Sequence, residues 1–281
     1  MKLFSSLLVM VLISCCANGR DIKYMGATPA HKDVRSFLNI SQIDSIDFIK
    51  WKLSLSDDHY ELDCRYGISK PNTNGFLNEK TVHLSGQLVR QMHQLELRNG
   101  EHRFYLLEIN KNLLHLLDRN KSMLVGNGGF SYTLNNESPV KSNAINISSQ
   151  EISFKTITAF EGRTPCQELS QLLGLNKSTE CDKMKWFIVF FADSVTGKPL
   201  YYLKGGMGHR ISTMDRGNWS VVKEKGRIIY KLNPEKQSRA TYLLQADNNI
   251  LLFTDAEGNL LVGNENFSYT LNRMKDPRLK D

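Results

Sequence analysis

The sequence predicts a mainly β protein built from two tandem copies of one antiparallel domain, each closing as a barrel or sandwich and each with one short N-terminal helix. Three observations predict it: an internal repeat, short apolar segments divided by turn residues, and one amphipathic stretch at the front of each copy. The repeat comes first, because missing it misassigns the whole fold. Leu124-Val125-Gly126-Asn127 followed by Phe130-Ser131-Tyr132-Thr133-Leu134-Asn135 recurs as Leu261-Val262-Gly263-Asn264 followed by Phe267-Ser268-Tyr269-Thr270-Leu271-Asn272, at a constant offset of 137. The offset also pairs Asp118 with Asp255, Leu114 with Leu251 and Asn112 with Asn249. At the fronts, Tyr24-Met25-Gly26-Ala27-Thr28-Pro29 pairs with Phe160-Glu161-Gly162-Arg163-Thr164-Pro165.

Each front is followed by a helical stretch. Val34, Phe37 and Leu38 fall on one helix face, as do Leu169, Leu172 and Leu173. Lys50-Trp51 and Lys185-Trp186 then open the β part of each copy. In the first copy Trp51, Leu53 and Leu55 alternate with polar residues, and so do Val82, Leu84 and Gly86, then Leu95 and Leu97, then Phe130, Tyr132 and Leu134. Asp57-Asp58, Pro71-Asn72, Asn99-Gly100 and Arg119-Asn120 divide these runs; Gly197-Lys198-Pro199, Arg216-Gly217-Asn218 and Glu257-Gly258-Asn259 do so in the second copy. Many short strands at this spacing predict an antiparallel meander. Gly126-Asn127 and Gly263-Asn264 predict a turn or bulge before the last strand. The expected organisation is a signal peptide at 1–14, a lipidated tether at 15–23, repeats at 24–135 and 160–272, a linker at 136–159 and a tail at 273–281. The Ser- and Asn-rich linker is expected to add a strand from Glu151 to Thr158.

The first residues predict export. Met1-Lys2 is a minimal basic start, and Leu3 to Ile13 is an apolar run too short to span a bilayer. It ends in Leu12-Ile13-Ser14-Cys15, which resembles the bacterial lipobox and makes Cys15 the expected lipidation site. Acyl chains there would tie the protein to a membrane. The formal net charge is +7, but the cations are scattered among acids, so no nucleic-acid partner is expected.

An exported chain can hold disulfides. Beyond Cys15 and Cys16 the cysteines are Cys64, Cys166 and Cys181. Cys166 and Cys181 both belong to the second copy, and neither has a counterpart in the first, where Ala30 and a residue near Ser45 or Ile46 stand. Gain or loss as a pair predicts a Cys166–Cys181 bridge and leaves Cys64 free. The alternative is two buried thiols.

The seven histidines show no zinc spacing and the nine methionines are dispersed, so no metal and no cofactor is expected. His115 sits in an apolar run at the position of Leu252, as a strand residue would. Cys64 has no local signature of a nucleophile. Gly126-Asn127-Gly128-Gly129 lacks the Lys-Ser/Thr of a phosphate loop. No catalytic residues stand out.

Phe160-Glu161-Gly162-Arg163-Thr164-Pro165-Cys166-Gln167-Glu168-Leu169 resembles the opening of NlpE-type copper-resistance lipoprotein domains, with their Gly-x-x-Pro-Cys element. Gly217-Asn218-Trp219 and Tyr230-Lys231-Leu232 stand where that family has a Gly-x-Trp strand and a following Tyr-x-Leu. The resemblance implies a lipocalin-like barrel on an outer-membrane lipoprotein facing the periplasm, linked to envelope stress and surface sensing. Leu169 stands where the family has its second cysteine and Ala30 replaces Cys166 in the first copy, which argues against a dithiol or copper switch. Two functions are expected, ahead of a third, an enzyme working through Cys64. One is a non-catalytic, lipid-anchored envelope module that binds a protein partner or senses surface state. The other is a small-molecule carrier using a barrel as a cup. A cavity lined by apolar residues in one barrel favours the carrier, and filled barrels with a flat surface patch favour the partner-binding module.

Overall fold

The computed structural model describes residues 21–275 apart from 143, 148–151, 153, 155–156, 176–179, 207–210, 225 and 237–238. The signal peptide and Cys15 lie outside the described residues. The chain folds into two closed, eight-stranded antiparallel barrels. The first comprises β1 (Ile22–Thr28), α1 (Lys32–Phe37), β2 (Phe48–Leu55), β3 (His59–Gly67), β4 (Lys80–Gln91), β5 (Gln94–Asn99), β6 (His102–Asn110), β7 (Leu113–Leu117) and β8 (Thr133–Asn136). The second comprises β9 (Ile157–Pro165), α2 (Gln167–Leu173), β10 (Lys183–Ala192), β11 (Pro199–Gly205), β12 (Asp215–Glu224), β13 (Arg227–Pro234), β14 (Thr241–Gln245), β15 (Ile250–Thr254) and β16 (Thr270–Arg273). Each helix falls between the first and second strands of its barrel and caps one end.

The repeated residues are those that close the barrels. Gly26 and Gly162 lie where the first strand crosses the last. A Cβ there would stand 2.9 Å from a methyl of Leu134 in the first barrel and 2.6 Å from the Thr270 carbonyl in the second. The Trp51 indole donates to Thr28 Oγ1 at 2.8 Å, and Trp186 donates to Thr164 Oγ1 at 2.9 Å. Asn127 Oδ1 accepts from the amides of Gly129 and Phe130, and Asn264 Oδ1 from those of Asn266 and Phe267, so both predicted Gly-Asn elements are turns.

Three local expectations differ. Phe130 and Tyr132 precede β8 and are not strand residues; the Phe130 carbonyl closes the Asn127 turn. Arg216-Gly217-Asn218 is not a turn but lies within β12, where Gly217 lets the strand pass over the Tyr202 ring; a Cβ would meet that ring at 2.6 Å. Of the strand expected from Glu151 to Thr158, residues 151, 153, 155 and 156 lie outside the described residues, Ile152 and Phe154 are not strand residues, and β9 spans Ile157–Pro165. Ile152 and Phe154 turn instead into the second barrel.

The barrels meet across a pseudo-two-fold axis. Residues related by the 137 offset touch each other: Ser131 with Ser268, Thr133 with Thr270, and Phe130 stacked on Phe267. Off the axis the contacts are reciprocal. The Gly126 amide donates to Asn272 Oδ1 at 2.7 Å, and the Gly263 amide donates to Asn135 Oδ1 at 2.8 Å. One apolar cluster joins Ile109 and Leu113 of the first barrel to their counterparts Ala246 and Ile250. Self-complementary contact of this kind is the signature of an isologous interface. It also explains why the repeat is best preserved at its C-terminal end, since each copy of that segment must fit the other.

Candidate functional site

Cys166 and Cys181 are joined by a disulfide with Cα atoms 5.7 Å apart, tying the start of α2 to the approach to β10. Cys64 is buried in the first barrel, and burial, with Asp63 beside it, pushes its thiol well above the usual range. A thiol that stays protonated is a poor nucleophile. Among the described residues no three His, Cys, Asp or Glu side chains come together as a metal site.

His115 is also buried. Its Nε2 lies 2.9 Å from the Leu124 carbonyl and its Nδ1 3.0 Å from Thr133 Oγ1. The carbonyl can only accept, so Nε2 carries the proton and Nδ1 accepts from Thr133. Thr133 in turn accepts from Thr270, and Thr270 from Ser268, so a chain of hydroxyls crosses the interface and ends on the imidazole. Every partner is satisfied, which marks this network as structural.

The end of the second barrel away from α2 is different. Phe190 on β10, Trp219 on β12 and Tyr230 on β13 form an aromatic cup, with Gln245 at the end of β14 beside it. Trp219 is fixed by its indole, which donates to the Phe191 carbonyl at 3.0 Å. Phe190 meets Trp219 edge-on with centroids 5.1 Å apart. The Tyr230 hydroxyl donates to Gln245 Oε1. Into this cup comes a residue that belongs to none of the strands, Phe154 of the linker. Its centroid is 4.8 Å from Trp219, 5.2 Å from Tyr230 and 5.4 Å from Phe190. Ile152 enters beside it, its amide donating to Gln245 Oε1 at 3.3 Å.

Strand register shows what stands at the same places in the first barrel. Trp51 matches Trp186, so Leu55, Leu88 and Leu95 match Phe190, Trp219 and Tyr230, and Glu108 matches Gln245. The three leucines are buried, with the Tyr60 ring across from Leu55. The barrel therefore does not need an aromatic cup. In the sequence Trp219 and Tyr230 read only as strand residues. The signal available was the exchange of Leu for aromatic residues between aligned copies.

A second shared feature is a groove between the helix and the neighbouring strand ends. In the first barrel it is crossed by the Arg119–Asp33 ion pair at 2.7 Å. Burial raises the Asp33 carboxyl, but the Arg119 hydrogen bonds and charge outweigh it and hold the group below its ordinary value. In the second barrel the groove is lined by Leu169, Leu172, Leu173 and Phe253 together with Arg239 and Asp255.

Comparison with protein-family models, curated proteins and solved structures finds no match. What the fold defines is a class by architecture: a tandem of closed eight-stranded antiparallel β-barrels, one of them with an aromatic cup at its end.

Proposed function

We propose that the protein is a non-catalytic carrier of a small apolar molecule, bound at the aromatic end of the second barrel. One observation carries this reading: the cup of Phe190, Trp219 and Tyr230 takes up an aromatic side chain from outside the strands. Small-molecule sites are mostly apolar and concave, with few polar groups to orient the ligand. Gln245 supplies such a group.

The Leu12-Ile13-Ser14-Cys15 element supports a lipid anchor at Cys15, and with it a place in the cell envelope on a membrane surface. The resemblance to NlpE-type domains supports an outer-membrane lipoprotein facing the periplasm. A second reading, a module that binds a protein partner or senses the envelope, is favoured by the groove beside α2, where Leu172 is 38% exposed.

The test of the carrier reading is titration of the full mature chain with N-phenyl-1-naphthylamine, an uncharged dye that brightens in apolar surroundings. Saturable binding is expected, weakened at least tenfold in a Trp219→Leu/Tyr230→Leu variant that copies the first barrel. Equal binding by that variant would transfer the site elsewhere and refute the reading. The anchor is tested separately. Fatty-acid labelling is expected to disappear in Cys15→Ala, and unchanged labelling would refute it.

A further inference from the structure

We propose that Ile152 and Phe154 of the linker are the resident occupants of this site, and that its ligand is a flat, uncharged aromatic molecule with one hydrogen-bond donor that displaces them. The inference rests on the carrier reading and specifies its ligand and its control.

The occupants define the chemistry they mimic. Phe154 supplies a ring held on three sides, edge-on to Tyr230 with planes at 89° and tilted on Trp219 and Phe190 at 58° and 47°. Aromatic rings favour such offset and edge contacts over face-to-face stacking. Ile152 supplies one N–H to Gln245 Oε1, at a distance near the long limit for a hydrogen bond. A ring with a donor at one edge reproduces both contacts. The acceptor also selects against charge. Where the first barrel has Glu108, the second has the neutral Gln245, so a cation gains no ion pair there and an anion gains no donor stronger than an amide.

The occupants are also placed to leave. Ile152 and Phe154 lie outside the named strands, so withdrawing the two side chains breaks no pairing between named strands. The same linker carries Ile145 and Ile147 against the apolar cluster between the barrels. Competition of this kind lowers the apparent affinity by the fraction of molecules whose cup is open.

The experiment uses the full mature chain and N-phenyl-1-naphthylamine, which has flat rings and one N–H. Phe154→Ala is expected to bind the dye at least about tenfold more tightly than the parent, because the competitor is removed. In the parent, saturating dye is expected to speed hydrogen exchange of the Ile152 amide, which loses Gln245. Equal affinities with unchanged exchange, while Trp219→Leu still weakens binding, would overturn the displacement and leave the carrier reading standing. No binding by parent or Phe154→Ala would overturn both. If Phe154→Ala does not fold, Phe154→Leu is read in its place: tighter binding than the parent is expected, and unchanged affinity overturns the displacement.

Discussion

At the scale of single residues, His115 sits neutral where the two barrels meet. Burial brings its imidazole down to about 4, with the Leu124 carbonyl opposing part of that shift, against 6.5 in a model peptide. The unfolded chain therefore binds a proton that the folded chain refuses, and stability falls as pH drops from 6.5 towards 4. Between pH 7 and pH 5 the loss from this residue is about 2 kcal/mol. Denaturant melts at the two pH values are expected to show His115→Leu, which copies Leu252, losing about that much less than the parent. Equal losses would mean that His115 is not the group responsible. Gly162 makes a sharper steric demand, with the Thr270 carbonyl 2.6 Å from the place of its missing Cβ. Gly162→Ala is expected to cost roughly 1–3 kcal/mol by overpacking, read as a lower denaturant midpoint. The glycine was visible in the repeat, but its reason was not. A backbone crossing between the first and last strands, about a hundred residues apart, leaves no local trace.

At the scale of elements, α2 is held by its apolar face, by the disulfide and by Arg239, which donates to the Gln171 and Leu172 carbonyls. The bridge spans a separation of 15 residues, for which the chain-entropy account gives about 3 kcal/mol. A Cys166→Ala/Cys181→Ala chain is expected to lose up to that much stability. The loss should appear as faster hydrogen exchange in α2 and β10, with α1 unchanged. Faster exchange in α1 as well would mean that the barrels do not respond separately. The helices were legible from Val34, Phe37 and Leu38 and from Leu169, Leu172 and Leu173, because a helix writes its buried face into neighbouring residues. Strand positions were legible where alternation was clean, as in β2. They were misread at Gly217, since glycine serves turns and close strand crossings alike. The cup was hidden for a further reason. Phe190, Trp219 and Tyr230 lie on three strands, and only register brings them together.

At the scale of the whole molecule, the 137 offset is both a sequence repeat and a contact rule. Asn135 and Asn272 fill equivalent places, each accepting from a glycine amide of the other barrel. Asn135→Ala and Asn272→Ala are each expected to cost about 1–3 kcal/mol, because each strands a backbone donor. Asn135 also donates to the Asn264 carbonyl at 3.0 Å, so its loss is expected to cost the more of the two; no loss of stability in either variant would argue against the two-fold arrangement. Duplication was plain in the sequence, whereas the association of the copies was not, because a preserved segment looks the same whether it serves the core or an interface. Function turns on where the copies differ. The most direct measurement is the proton–nitrogen spectrum of the three tryptophan indoles as N-phenyl-1-naphthylamine is added. Each has its own acceptor: Thr28 for Trp51, Thr164 for Trp186 and the Phe191 carbonyl for Trp219. The account predicts a saturable shift of the Trp219 signal while those of Trp51 and Trp186 stay in place. A shift at Trp51 or Trp186 with Trp219 unmoved, or no shift at saturating dye, would contradict it.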